Sequence, residues 1–103
     1  MADINTLIKE REERYGSFAG TSKTIQFIKR EMESAPNWRL LSNEQREALE
    51  MIAVKIGRIL NGDPAHADNW VDIQGYAALA VNASREVKKA DLSDIKVAGG
   101  THV

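Results

Sequence analysis

Apolar positions recur at helical spacing along most of the chain, and the pattern breaks where proline or glycine interrupts it. Ile4, Leu7 and Ile8 form a short stripe ahead of a fully charged run from Lys9 to Arg14. The pattern predicts a first helix over about 3–14, with Asp3 as N-cap and Tyr15-Gly16 as its stop. Ser17 to Gly20 reads as a loop carrying Phe18. A second helix is predicted over 22–33, capped by Thr21 or Ser22, with Ile25, Ile28 and Met32 on one face and Phe27 beside them. Pro36-Asn37 marks a further loop, and Trp38, Leu40 and Leu41 offer an apolar plug after it.

The third helix has the clearest boundaries. Ser42-Asn43-Glu44-Gln45 is a capping-box pattern, and Asn61-Gly62 closes the helix after Leu60. The fourth follows Pro64, with Asp68 as a candidate cap, and extends through Asn82 towards Lys89. No stretch alternates apolar and β-branched residues with polar ones, so strands are not expected. The fold class is therefore all-α. The expectation is a small four-helix domain over 1–89, with a central antiparallel hairpin of about 43–60 and 68–88 and a flexible tail over 90–103.

Both central helices carry two distinct faces. Leu49, Ile52, Ile56, Ile59 and Leu60 share one side of the third, and Trp70, Ile73, Ala77, Ala80 and Val81 share one side of the fourth. These stripes read as core, and Leu49, Ile52, Ile56, Ile59, Trp70, Ile73 and Ala77 are expected to be largely buried. The opposite sides mix charge with apolar groups. Glu47, Glu50, Met51, Val54 and Arg58 lie on the third helix, with Lys55 at the boundary. Asp68, Asp72, Gly75, Tyr76 and Leu79 lie on the fourth. Apolar residues on these second faces, notably Met51, Val54 and Leu79, predict a homodimer or higher homo-oligomer.

Composition narrows the chemistry. The 103 residues suit one small domain, with 43% hydrophobic and 28% charged residues. Fourteen Lys and Arg against fifteen Asp and Glu give a net charge of -1, which lacks the positive surplus of a nucleic-acid-backbone binder. With no cysteine, disulfides, thiol catalysis and thiolate metal sites are excluded. No apolar run reaches the ~20 residues of a membrane span, and the opening MADINTLIKERE lacks the order of a signal peptide. The expected setting is cytoplasmic.

Glu47 and Glu50 stand at i and i+3, where their carboxylates can converge on one ligand. The plainer alternative is a solvated first turn, where acids suit the helix dipole. In an antiparallel hairpin that pair lies up to about 20 Å from Asp68 and Asp72. The cluster nearest the hairpin turn is Lys55, Arg58, His66, Asp68 and Asp72, with Tyr76 one turn further on. It reads either as a site or as an ion-pair clasp joining two helices, and Lys55 or Arg58 should reach Asp72. Trp70 and Tyr76 read either as core or as stacking platforms.

The strings Arg14-Tyr15-Gly16-Ser17-Phe18, Glu47-Ala48-Leu49-Glu50, Lys55-Ile56-Gly57-Arg58 and Asp68-Asn69-Trp70-Val71-Asp72-Ile73-Gln74-Gly75-Tyr76 resemble a family of small tailed-phage and prophage proteins. More distantly, the chain resembles all-α nucleoside triphosphate pyrophosphohydrolases of the MazG type, in which a Glu-x-x-Glu pair and a second acidic pair hold magnesium. The first resemblance implies a phage accessory protein acting in a bacterial host. The second implies nucleotide binding, with Mg²⁺ on Glu47, Glu50, Asp68 and Asp72. Lys55 and Arg58 would then meet phosphate, and Trp70 or Tyr76 the base. The alternative is a non-enzymatic helical protein that binds a host protein or sequesters a nucleotide to counter host defence.

Overall fold

A computed structural model describes the backbone of residues 3–95 and the side-chain surroundings of residues 3–84. It is all-α: α1 (Ile4–Tyr15), α2 (Phe18–Ser34), a 3-10 turn (Trp38–Leu40), α3 (Asn43–Asn61) and α4 (Ala67–Ile95). No described helix is long and apolar enough to cross a membrane.

The caps account for most boundaries. Asp3 accepts the Asn5 N–H ahead of α1. The Ser42 hydroxyl accepts the Gln45 N–H, and the Ser42 N–H donates to the Gln45 side chain at 2.9 Å, completing the capping box of α3. Helix α2 starts earlier than the sequence pattern predicts. Ser17 is its N-cap, with the Ser17 hydroxyl accepting the Gly20 N–H, so Phe18 to Thr21 are helix rather than loop. Asp68 lies in the first turn of α4 instead of capping it. The α4 backbone runs on to Ile95, past the predicted end near Lys89. The expected tail is therefore helical over its first residues, while 96–103 lie outside the described residues.

Helices α3 and α4 form the predicted antiparallel hairpin. Lys55 meets Asp72 near the turn, and the Gln45 side chain donates to Ser84 Oγ near the other end. Ala48, Ile52, Lys55 and Ile59 share the side of α3 turned to α4, where Asn69, Ile73, Tyr76, Ala80 and Ala83 answer them at alternating spacings of four and three. Helix α2 packs antiparallel on the other side of α3. There Ala53 and Gly57 let it approach closely, and a Cβ at Gly57 would meet Ile25. The result is a layer of three helices with α3 in the middle, rather than a closed bundle.

Helix α1 crosses one face of this layer and is fixed at its C-terminal end. Gly16 (φ 87°) and Gly62 pack backbone against backbone with the end of the opposing helix. A Cβ on Gly16 would overlap the Asn61 carbonyl, and one on Gly62 would overlap Tyr15. The Asp63 N–H donates to the Arg14 carbonyl at 3.0 Å across this joint.

The layer corrects the predicted core. Leu49, Trp70 and Ala77 are exposed, while Ile52, Ile56, Ile59 and Ile73 are only half-buried. The buried apolar side chains among the described residues are Ala48, Ala53 and Ala83, and the largest side chain that is fully buried is Asn69. Each predicted stripe is divided: Ile52, Ile59, Ile73 and Ala80 lie on the contact between α3 and α4, while Leu49, Ile56, Leu60, Trp70, Ala77 and Val81 lie beside it. The large groups beside the contact are left facing outward.

Two glycines should respond oppositely to alanine. Gly16→Ala should destabilise by at least ~2 kcal/mol, because positive φ and the Asn61 carbonyl both oppose a Cβ. Gly75→Ala, with open space around it in mid-helix, should stabilise by about 1 kcal/mol. Urea unfolding of the two variants checks both signs.

Candidate functional site

The glycine joint brings together residues far apart in the chain. Tyr15, the last residue of α1, lies beside the end of α3 and the turn before α4. Its ring centroid lies 4.6 Å from the Arg58 guanidinium, 5.3 Å from that of Arg11 and 6.0 Å from that of Arg14. His66 meets the same ring edge-on at 5.8 Å. Among the described residues, no carboxylate comes within ion-pair distance of these three arginines. Cations around an aromatic ring gain from its quadrupole, but three of them also repel one another, which favours an anion between them.

Arg11, Tyr15 and Arg58 of this cluster line one wall of a groove of about 440 Å³ between α1, α2 and α3. Ile8, Phe18, Ile25 and Val54 line it with apolar groups, and Thr21, Ser22 and Glu12 add polar groups. Phe18 is 85% exposed at the rim. The Thr21 hydroxyl is turned inward, donating to the Tyr15 carbonyl at 3.0 Å, which ties the first turn of α2 to the end of α1. Apolar walls with a few convergent polar groups, at this volume, suit a small ligand with an anionic end.

The residues singled out from sequence are distributed differently. Lys55 is buried on the α4 side of α3, and its ammonium meets Asp72 Oδ2 at 2.9 Å. This is the expected helix-to-helix pair. Arg58 turns away from Asp72 towards Tyr15. Glu50 lies 4.0 Å from the Lys29 ammonium, towards α2. Glu47 lines a second groove of about 450 Å³ with Tyr76, Leu79 and Ala48. Asp68 is exposed, with one oxygen 3.5 Å from His66 Nε2, an approach without hydrogen-bond geometry. The Trp70 indole donates to the Pro64 carbonyl at 3.2 Å while its ring stays largely exposed. Thus Lys55 and Asp72 come together, as do Glu47 and Tyr76. The four acids do not, and the described residues hold no group of three His, Asp or Glu placed to bind a metal ion. The four acids that the resemblance implies for Mg²⁺ are thus not gathered at one place within the chain.

Arg11, Arg14, Tyr15 and Phe18 were not candidates from sequence spacing. Arg11 and Arg14 sit in a charged run that reads as a solvated surface, and Tyr15-Gly16 reads as a helix stop. The signal available was Gly16 beside Tyr15, since a positive-φ glycine also permits close backbone approach. At the hairpin end, Asn69 Nδ2 and His66 Nε2 are both buried without a hydrogen-bond partner among the described residues.

Residues 1–84 match the model of the family described as Domain of unknown function (DUF6378), and the chain belongs to that family. No curated protein and no solved structure matches it.

Replacing Asp72 by Ala should lower stability by about 1–3 kcal/mol, less than for a fully buried pair because the Asp72 side chain is 45% exposed. The double variant Lys55→Met, Asp72→Ala should recover most of that loss. A double-mutant cycle in urea measures the coupling.

Proposed function

We propose that this DUF6378-family protein binds a nucleotide in the groove between α1, α2 and α3. The observation that carries the reading is the set of three guanidiniums around Tyr15 without a carboxylate partner among the described residues. Arg58 and Arg11, both on the groove wall, would hold phosphate oxygens by charge-assisted hydrogen bonds. Phe18 at the rim offers a face on which a base can stack, and Ile8, Ile25 and Val54 exclude water beneath it. Of the residues expected from sequence to meet the nucleotide, Arg58 keeps that role here. Lys55 serves the clasp with Asp72, and Trp70 and Tyr76 lie off this groove.

We place the protein as a phage or prophage accessory protein in the cytoplasm of a bacterial host, on the resemblance of its motifs. Metal-dependent pyrophosphohydrolysis of the MazG type is the further step in this reading, and it rests on the same resemblance. The exposed apolar surface favours a second reading, in which the protein binds or sequesters without turnover and works against host defence as a homo-oligomer.

Thermal unfolding against nucleoside mono-, di- and triphosphates, with and without Mg²⁺, tests the proposal. A nucleotide at a hundred times its dissociation constant should add about 2.7 kcal/mol and raise the transition by roughly 10 °C or more. Arg58→Ala and Arg11→Ala should abolish the shift, while their own cost to the unliganded protein stays near 1 kcal/mol. Phosphate or pyrophosphate release that requires Mg²⁺ would select the hydrolase over sequestration. A wild-type transition unmoved by every nucleotide would overturn nucleotide binding in favour of a helical interaction protein.

A further inference from the structure

The layer of α2, α3 and α4 has two faces. Helix α1 lies on the face that carries the arginine groove, which Val54 and Arg58 of α3 line together with Ile8 and Tyr15. The helical phase of α3 puts Leu49, Ile56 and Leu60 on the other face, and that of α4 puts Trp70, Ala77 and Val81 beside them. The Gln45–Ser84 hydrogen bond ties the two helices along this same side. Leu60 is 68% exposed and Trp70 54%, and no described element covers them. Phe27, 59% exposed, extends the apolar surface onto α2.

We propose that this face is covered by a second copy of the same chain, related by a two-fold axis, so that two α3–α4 hairpins stack into a four-helix core. Three observations choose that occupant. First, the cover is needed by the fold itself. Stable domains pack at least two layers around a core, and here the described buried apolar groups are three alanines. A cover required for folding must be present wherever the chain is made, and another copy meets that condition. Second, the stripes on α3 and α4 carry no Asp, Glu, Lys or Arg, and α4 has none between Asp72 and Arg85. Charge is depleted at the core of self-associating interfaces, whereas a foreign partner is selected by charge complementarity that this surface lacks. Third, the size fits. Residues 45–60 of α3 span about 24 Å, and two helices side by side about 20 Å, before the corrugation of the side chains and Phe27 are added. That approaches the scale of a standard dimer, about 800 Å² of accessible surface per partner.

This surface differs from the second helical faces first expected to associate. Of those residues, Val54 lines the arginine groove, Met51 is half-buried and Leu79 lines the Glu47–Tyr76 groove. Because the proposed dimer face lies opposite the arginine groove, it stands whether or not that groove binds nucleotide.

Sedimentation equilibrium of the full chain at micromolar concentration should give the dimer mass, and the thermal transition should rise with protein concentration. Ala77→Glu places a carboxylate at the centre of the proposed interface, at a position exposed in one chain, and glutamate is a good helix former. It should halve the measured mass and lower the transition. Asn82→Glu, on the outer side of α4, should leave the dimer intact. A wild-type monomer over the whole range, a transition independent of concentration, or an Ala77→Glu protein as dimeric as wild type would each overturn the proposal. Should Ala77→Glu not fold, the mass and concentration dependence of the wild type decide. A stoichiometric complex with a foreign protein in place of the dimer would also overturn it.

Discussion

Helix α3 has to serve neighbours on opposite sides, and the rest of the molecule follows from how it does so. Towards α2 it presents Ala53 and Gly57, whose small size lets the Ile25 side chain rest against the helix backbone. Towards α4 it presents Ala48, half-buried Ile52 and Ile59, and the aliphatic stem of Lys55, whose ammonium finds Asp72. Small residues permit close helix approach but bury little area, so their energetic return is modest. With neighbours held on those two sides, Leu49, Ile56 and Leu60 fall on a flank that neither neighbour reaches. An incompletely covered layer is thus a direct outcome of where α3 keeps its alanines and its glycine.

The arginine groove depends on the second close approach in the molecule, the one at Gly16 and Gly62. Without side chains at those two points, the end of α1 meets the end of α3 through backbone. Tyr15 then stands between arginines from both helices. The Thr21 hydroxyl on the Tyr15 carbonyl fixes the start of α2 to the same point. Three helices and one turn converge there, so a displacement at the joint would alter every wall of the groove. Binding residues held on helices by backbone contact keep their spacing better than residues on a free loop.

The parts of this structure legible in the sequence are those set by local chemistry. The Ser42–Gln45 box, the Asp3 cap and the Gly62 stop are decided within a few residues of themselves, and each appears as expected. The Lys55–Asp72 pair was also legible, because a short connection fixes which turns of two helices face each other. The start of α2 was obscured because Gly20, a residue that suggests a loop, sits inside a helix capped by Ser17. The burial of the large apolar residues was misjudged for a different reason. Periodicity tells which side chains share a side, and Leu49 with Ile56, or Trp70 with Ala77, do share one. What covers a side depends on which other side the neighbours prefer, and alanine and glycine mark that preference with little hydrophobic signal. The arginine cluster escaped because Arg11 and Arg58 are linked only through a joint between distant glycines.

The seam between α3 and α4 has a consequence of another kind. The fours and threes of the 69, 73, 76, 80, 83 stripe make a seven-residue repeat, which on apolar grounds alone tolerates sliding by whole repeats. Asn69 Nδ2, buried there without a partner among the described residues, adds no preference for the observed alignment. Lys55 does: its buried ammonium meets Asp72 at this alignment, and a slide by one repeat would set it against Ala65 or Leu79. One charge pair therefore makes the alternative alignments of α4 on α3 unequal. Its contribution is to uniqueness of register rather than to strength. That matters most in a chain whose remaining buried contacts, largely alanine against helix, would distinguish one alignment from the next only weakly.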